Sequence, residues 1–161
     1  MTPIDFYETI LRPAATNVAV QFPTLGGFKA EYFLLAVAGQ ESAWSDRIQQ
    51  PNGPARSFWQ IEQAGMLRGV LTGQYDPILE RVCGHYAIPF DEDAIFEALA
   101  WHDPLAYAVA RLGLFMDPHA LPALNDEAGS WDVYLRVWRP GKPSRYRWGM
   151  IYAQAMAVLV P

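Results

Sequence analysis

From Glu31 to Trp44 the chain reads EYFLLAVAGQESAW, and its apolar residues surround the helical wheel instead of forming one stripe. With about 100° of rotation per residue, Glu41 shares a side with Leu34, Val37, Ala38 and Trp44. The opposite side carries Tyr32, Ala36, Gly39 and Ala43. A helix apolar all round belongs in a core. The pattern therefore predicts a central buried helix over roughly 27–42, ending at Glu41.

The flanking chain reads as helices punctuated by proline. Thr2-Pro3 pairs a capping threonine with proline at the first helical position, and that helix is expected to end near Arg12-Pro13. A loop carrying Asn17, Pro23, Gly26 and Gly27 follows. Further helices are expected over Ala64–Leu71, weakened by Gly65 and Gly69, and near 77–87 and 104–116 behind Asp76-Pro77 and Asp103-Pro104. Asp91 opens another, with Ile95, Phe96 and Leu99 as its apolar face. Asp126 opens the next, which ends at Arg139-Pro140-Gly141, and Ser144 caps a last one to Val158. Alternating β-branched runs hardly occur, so strands are scarce. Some eight helices without repeat or linker predict a mostly α, single domain over 1–161.

Composition narrows the class. Hydrophobic residues make up 52% of 161 and aromatics 14%, too apolar for a disordered chain, yet no run approaches the length needed to span a bilayer. The start, MTPIDFYETILRP, has acids where a signal peptide carries bases, so no export signal is read. One cysteine, Cys83, excludes an intrachain disulfide and reads as a semi-buried thiol. The net charge of −5 is unevenly spread. Asp76–Asp103 holds seven acids against Arg81 alone. Arg136, Arg139, Lys142, Arg145 and Arg147 form a run with no acid among them. That run suits an anionic partner, either a wall glycan with its carboxylates or a phosphate backbone; a solvated helix end is the other reading.

Glu41 carries the candidate chemistry, and the residues leave two readings of it. At the end of a core helix, desolvation and the negative helix C-terminus would both disfavour its ionised form, leaving a neutral acid able to donate a proton. Alternatively it ends the helix in water. Trp44, Phe58 and Trp59 likewise read either as apolar cleft walls or as core, with core favoured for Trp44.

The run QESAW at Gln40–Trp44, then Pro51, Gly53 and SFWQI at Ser57–Ile61, resembles the catalytic signature of soluble lytic transglycosylases, in the lysozyme-like superfamily. That signature is a glutamate and serine at a helix end, a Pro/Gly-containing loop, and then Gly-Leu-Met-Gln. Ser57, Phe58 and Trp59 stand at its Gly, Leu and Met. Asp103-Pro104 resembles the family's Asp-Pro-x-x-Asn, with Tyr107 in the asparagine's place. Trp138-Arg139-Pro140-Gly141 resembles its Tyr-Asn-Ala-Gly, with Trp138 for the tyrosine and Arg139 for the asparagine.

The resemblance implies a lysozyme-like helical domain that cleaves peptidoglycan strands between N-acetylmuramic acid and N-acetylglucosamine. Glu41 is then the sole acid/base: it protonates the leaving oxygen, later takes a proton from the sugar's 6-hydroxyl, and leaves a 1,6-anhydro product. Ser42, Gln60, Phe58, Trp59, Tyr107 and Trp138 become the substrate-binding residues. No cofactor, metal or nucleic acid is implied. Asp46 and Glu62, the nearest acids in sequence, read as solvated loop charges. Two alternatives remain: hydrolysis, as in goose-type lysozymes, or a degenerate domain that binds wall or builds a virion or larger assembly. A wall-degrading chain without an export signal fits a tailed-phage product, made in the host cytoplasm and acting at the periplasmic wall, as an endolysin or within the particle. His85, His102 and His119 share no metal-ligand spacing, and Asp91-Glu92-Asp93 reads as a helix start.

Overall fold

Reciprocal capping starts the first helix. Thr2 Oγ accepts from the Asp5 amide, and the Asp5 carboxylate accepts from the Thr2 N–H, opening α1 (Pro3–Phe6). In the computed structural model, which describes residues 1–51 and 53–159, this helix runs on past Pro13. A π turn over Tyr7–Leu11 joins α1 to α2 (Arg12–Gln21), and the Arg12 N–H bonds five residues back to the Tyr7 carbonyl. The wider turn shifts the hydrogen-bond register just where Pro13 has no N–H to give, so the expected break does not occur and Asn17 is helical.

A 3₁₀ turn (Pro23–Leu25) leads to α3 (Phe28–Ser42), whose buried residues include Tyr32, Leu34, Leu35, Val37 and Gly39. The helix packs along α9 (Arg145–Leu159). Gly39 permits the approach: a Cβ there would fall 2.3 Å from the Trp44 ring and 2.7 Å from Ile151. After α3 the chain makes a small antiparallel pair, β1 (Ala55–Arg56) and β2 (Ile61–Glu62), with Ala55 opposite Glu62 and Arg56 opposite Ile61.

A second π turn (Gln63–Leu67) runs into α4 (Arg68–Leu71), and Gly65 departs from helical geometry at φ −98°, ψ −108°. Then come α5 (Asp76–His85), α6 (Glu92–Ala98), α7 (Asp103–Phe115) and α8 (Glu127–Trp138). Asp91 and Asp126 cap α6 and α8 as expected, and Ser144 Oγ accepts from the Arg147 amide at the start of α9. The cap of α7 is His102 Nδ1, because the Asp103 carboxylate is held by Arg47. The chain is thus mostly helical, with α2 against α7 and α3 against α9.

One hydrophobic cluster runs from Phe6 to Ala155. Its largest members are aromatic, and most of their polar tips find a partner, the Tyr32 hydroxyl being an exception. The Trp59 indole donates to the Leu34 carbonyl and the Trp44 indole to the Leu35 carbonyl, each at 2.9 Å. Cys83 lies fully inside, and burial pushes its thiol up to about 11, so it is an inert core group. Among the described residues, no helix is long and apolar enough to cross a membrane.

Candidate active site

The last turn of α3 delivers Glu41 beside an irregular stretch of backbone. Ala43 closes the helix in the left-handed region (φ 51°) and Trp44 follows at φ 56°. Glu41 is half-buried, and the hydroxyl of Tyr134 on α8 donates to its Oε1 at 2.5 Å. Burial is the main cause that pushes the Glu41 carboxyl above the ordinary 4.5, and the Glu62 charge adds to it. The Tyr134 hydrogen bond and the Arg147 charge offset part of the shift.

The carboxyl opens on a cleft of 1120 Å³, a size that suits several sugar units. Gln40 and Glu41 come from α3, and Gln49, Gln60, Ile61 and Glu62 from the loop and hairpin. Ala64, Gly65, Met66 and Gly69 line it as well, with Asp117 and His119. Trp138 at the end of α8, Arg139 and Lys142 in the connection that follows, and Arg147 in the first turn of α9 line it too. Gln40 is only 9% exposed; its Oε1, like that of Gln49, is buried without a hydrogen-bond partner.

Asp117 is locked. Burial raises its pKa, but hydrogen bonds from Arg136 and His119 outweigh that and hold it near 2. Its oxygens are fully engaged, which leaves Glu62 and Glu41 as the carboxylates open to a ligand in the cleft.

Gln60 lines the cleft at φ 48°, its amide nitrogen donating to the Asp46 carbonyl (3.2 Å) and the Ser57 carbonyl (2.8 Å). It thereby ties the loop after α3 to the turn before β2. Trp138 also lines the cleft, anchored by its indole to the Trp59 carbonyl at 2.8 Å. The other expected binding residues do not reach it. Phe58 (2% exposed) and Trp59 (0%) turn inward against Phe6, with ring centroids 4.9 and 6.4 Å away. Their apolar faces gain more from the core than from a wet cleft, so the expectation that they form its walls is corrected. Tyr107 is likewise fully buried, its hydroxyl donating to the Leu25 carbonyl at 3.1 Å. Ser42 turns back on its own helix, donating to the Ala38 carbonyl at 2.8 Å. Glu62, expected as a solvated charge, is exposed but sits at the cleft; Asp46 is exposed.

Ser57, at the position of the signature's glycine, adopts φ 66°, the left-handed region that favours glycine. Sequence reasoning missed Tyr134, Gln40 and Arg147 as neighbours of Glu41. Gln40 directly precedes Glu41 and could have been read; Tyr134 lies 93 positions away, with no local signal. Of the basic run, Arg136, Arg139, Lys142 and Arg147 line the cleft, whereas Arg145 pairs with Glu127. Among the described residues, no group of three His, Cys, Asp or Glu side chains could hold a metal ion. Comparison with protein-family models, curated proteins and solved structures finds no match, so the likeness to lytic transglycosylases rests on the motif residues.

Proposed function

We propose that the chain is a peptidoglycan-cleaving enzyme of lytic transglycosylase type, with a lysozyme-like arrangement of helices around α3. One observation carries this reading: a glutamate whose pKa is raised by burial opens on a cleft wide enough for a glycan strand. Cleaving a glycosidic bond needs a proton on the leaving oxygen, and a carboxyl whose neutral form burial favours is suited to supply it. Glu41 donates that proton. The resulting carboxylate, steadied by the Tyr134 hydroxyl, then takes the proton of the sugar's own 6-hydroxyl as that oxygen closes on the anomeric carbon. The bond to the leaving sugar breaks, a 1,6-anhydro ring forms, and Glu41 ends as it began. The left-handed turn at Ser57 and the position of Gln60 on the cleft support the same reading, because both fall on signature positions.

Glu62 favours a second reading. It is exposed, borders the cleft and acts on Glu41 electrostatically, so it could serve as the base for a water molecule and give hydrolysis. Digestion of purified peptidoglycan followed by mass spectrometry of the muropeptides decides between the two. Anhydro products, lighter by one water, support the transglycosylase; reducing ends that vanish in Glu62→Gln support the hydrolase. An intact wall after prolonged incubation with folded protein ends both.

A further inference from the structure

The five cations of the Arg136–Arg147 run divide by what they touch. Arg136 is neutralised by Asp117 and Arg145 by Glu127. Arg139, Lys142 and Arg147 form no ion pair with any described residue, and all three line the cleft. Two of them are also steadied without being neutralised. Arg147 Nη2 donates to the Gly39 carbonyl at 3.2 Å and Arg139 Nε to the Arg136 carbonyl at 3.3 Å, which leaves further N–H groups of each fork uncommitted.

The same cleft also carries two acids: Glu41 on α3, within the field of Arg147, and Glu62 on β2. A ligand that suits both the acids and the cations carries its negative charge intermittently, on substituents that can reach Arg139 and Lys142, and is neutral elsewhere. A phosphodiester strand, charged at every unit, would set phosphates against Glu62 and gain little. A strand of N-acetylated sugars bearing carboxylates only on side substituents meets both demands.

From this we propose that Arg139, Lys142 and Arg147 form a carboxylate-recognition wall, which orients a glycan strand in the cleft by the acidic substituents along one edge. The wall rests on the glycan-cleaving reading of the same cleft and adds its specificity: strands with free carboxylates are favoured over uncharged ones of equal length. Each exposed cation contributes modestly, about a 1.5- to 5-fold change in affinity, so the preference is the sum of several contacts. It weakens with salt, because the wall stays open to solvent.

The test is calorimetric titration of the full chain with two alternating N-acetylglucosamine–N-acetylmuramic acid tetrasaccharides, one with free lactyl carboxylates and one with these converted to carboxamides. The expected result is a preference of about tenfold for the free acid at low salt. That preference should shrink several-fold at about 0.5 M salt. It should also fall to the share of Arg147 alone, under about fivefold, in R139Q/K142Q, a double variant on the exposed side that leaves the Arg147–Gly39 contact in place, with carboxamide binding unchanged. Equal affinity for the two forms, or a preference undiminished in R139Q/K142Q, overturns the wall while leaving glycan cleavage standing if muropeptides are still released. Failure of both tetrasaccharides to bind, with no muropeptide release, removes the glycan reading and the wall with it.

Discussion

The two ends of α3 each hold a half-buried glutamate whose pKa burial raises, yet the ends differ in kind. Glu31 lies in the first turn, where the positive helix end favours a carboxylate. The charges of Arg12 and Arg111 pull it the same way. Its hollow, 540 Å³, is about half the volume of the cleft at Glu41. Glu41 lies in the last turn, where the helix opposes its charge, and its closest partner is a neutral phenol. Burial perturbs both acids; the combination of helix end, neutral partner and open cleft singles out one. A shifted carboxyl alone is therefore a weak sign of chemistry here.

The sharpest way to break the comparison is to neutralise each end. Glu41→Gln should lower the rate of muropeptide release by about 10²- to 10⁴-fold with an unchanged circular dichroism spectrum. Glu31→Gln should leave that rate within about twofold. Comparable losses in the two variants would erase the distinction. Next in size is Trp59→Ala, which empties a fully buried indole site and removes its bond to the Leu34 carbonyl. It should cost about 3–5 kcal/mol in urea melts, as for a core residue. A loss under about 1 kcal/mol would return Trp59 to the cleft as a binding residue.

Tyr134→Phe acts only at the C-terminal end. Removing the hydroxyl deletes a contact that lowers the Glu41 pKa, so that pKa rises further and the alkaline limb of the pH–rate profile moves up. The maximal rate should change by less than about tenfold. A limb moving down would mean that some other group sets it.

The smallest effect is on stability. Glu31 and Glu41 both bind protons more tightly in the native chain than at the ordinary 4.5. Each therefore contributes stability that is complete below that value and lost as pH rises through the raised native one. Glu41→Gln and Glu31→Gln should each flatten this decline in urea midpoints above pH 4.5. Asp117, held near 2, works in the opposite sense: its contribution is present above the ordinary 3.8 and is lost as pH falls toward 2. Asp117→Asn should be the one variant of the three that narrows the gap between acid and neutral midpoints from the low side.

What the chain displayed beforehand follows the range of the interactions. Capping is local, so Asp91, Asp126 and Ser144 marked their helices correctly. Pro13 misled because a π turn, which leaves no mark in hydrophobic periodicity, accommodated it. At the site, Glu41 and Gln60 were singled out by the resemblance to the transglycosylase signature, and both line the cleft. Phe58, Trp59 and Tyr107 carried the right motif positions, but burial of large apolar faces decided their orientation, and a motif does not encode that. Tyr134 could not be read from the chain, because the contact that matters spans most of the fold.

The Arg147–Gly39 tether has a mechanical consequence. It fastens the cationic bank to the same helical turn that carries the acid, and the close seating of α9 on glycine leaves that side little play. Elsewhere around the cleft Gly65 breaks helical geometry, and Met66 and Met116 offer pliant thioethers. Amide hydrogens at 65–66 should accordingly exchange sooner than those at 38–39, with the slot flexing like a jaw hinged on one fixed plate.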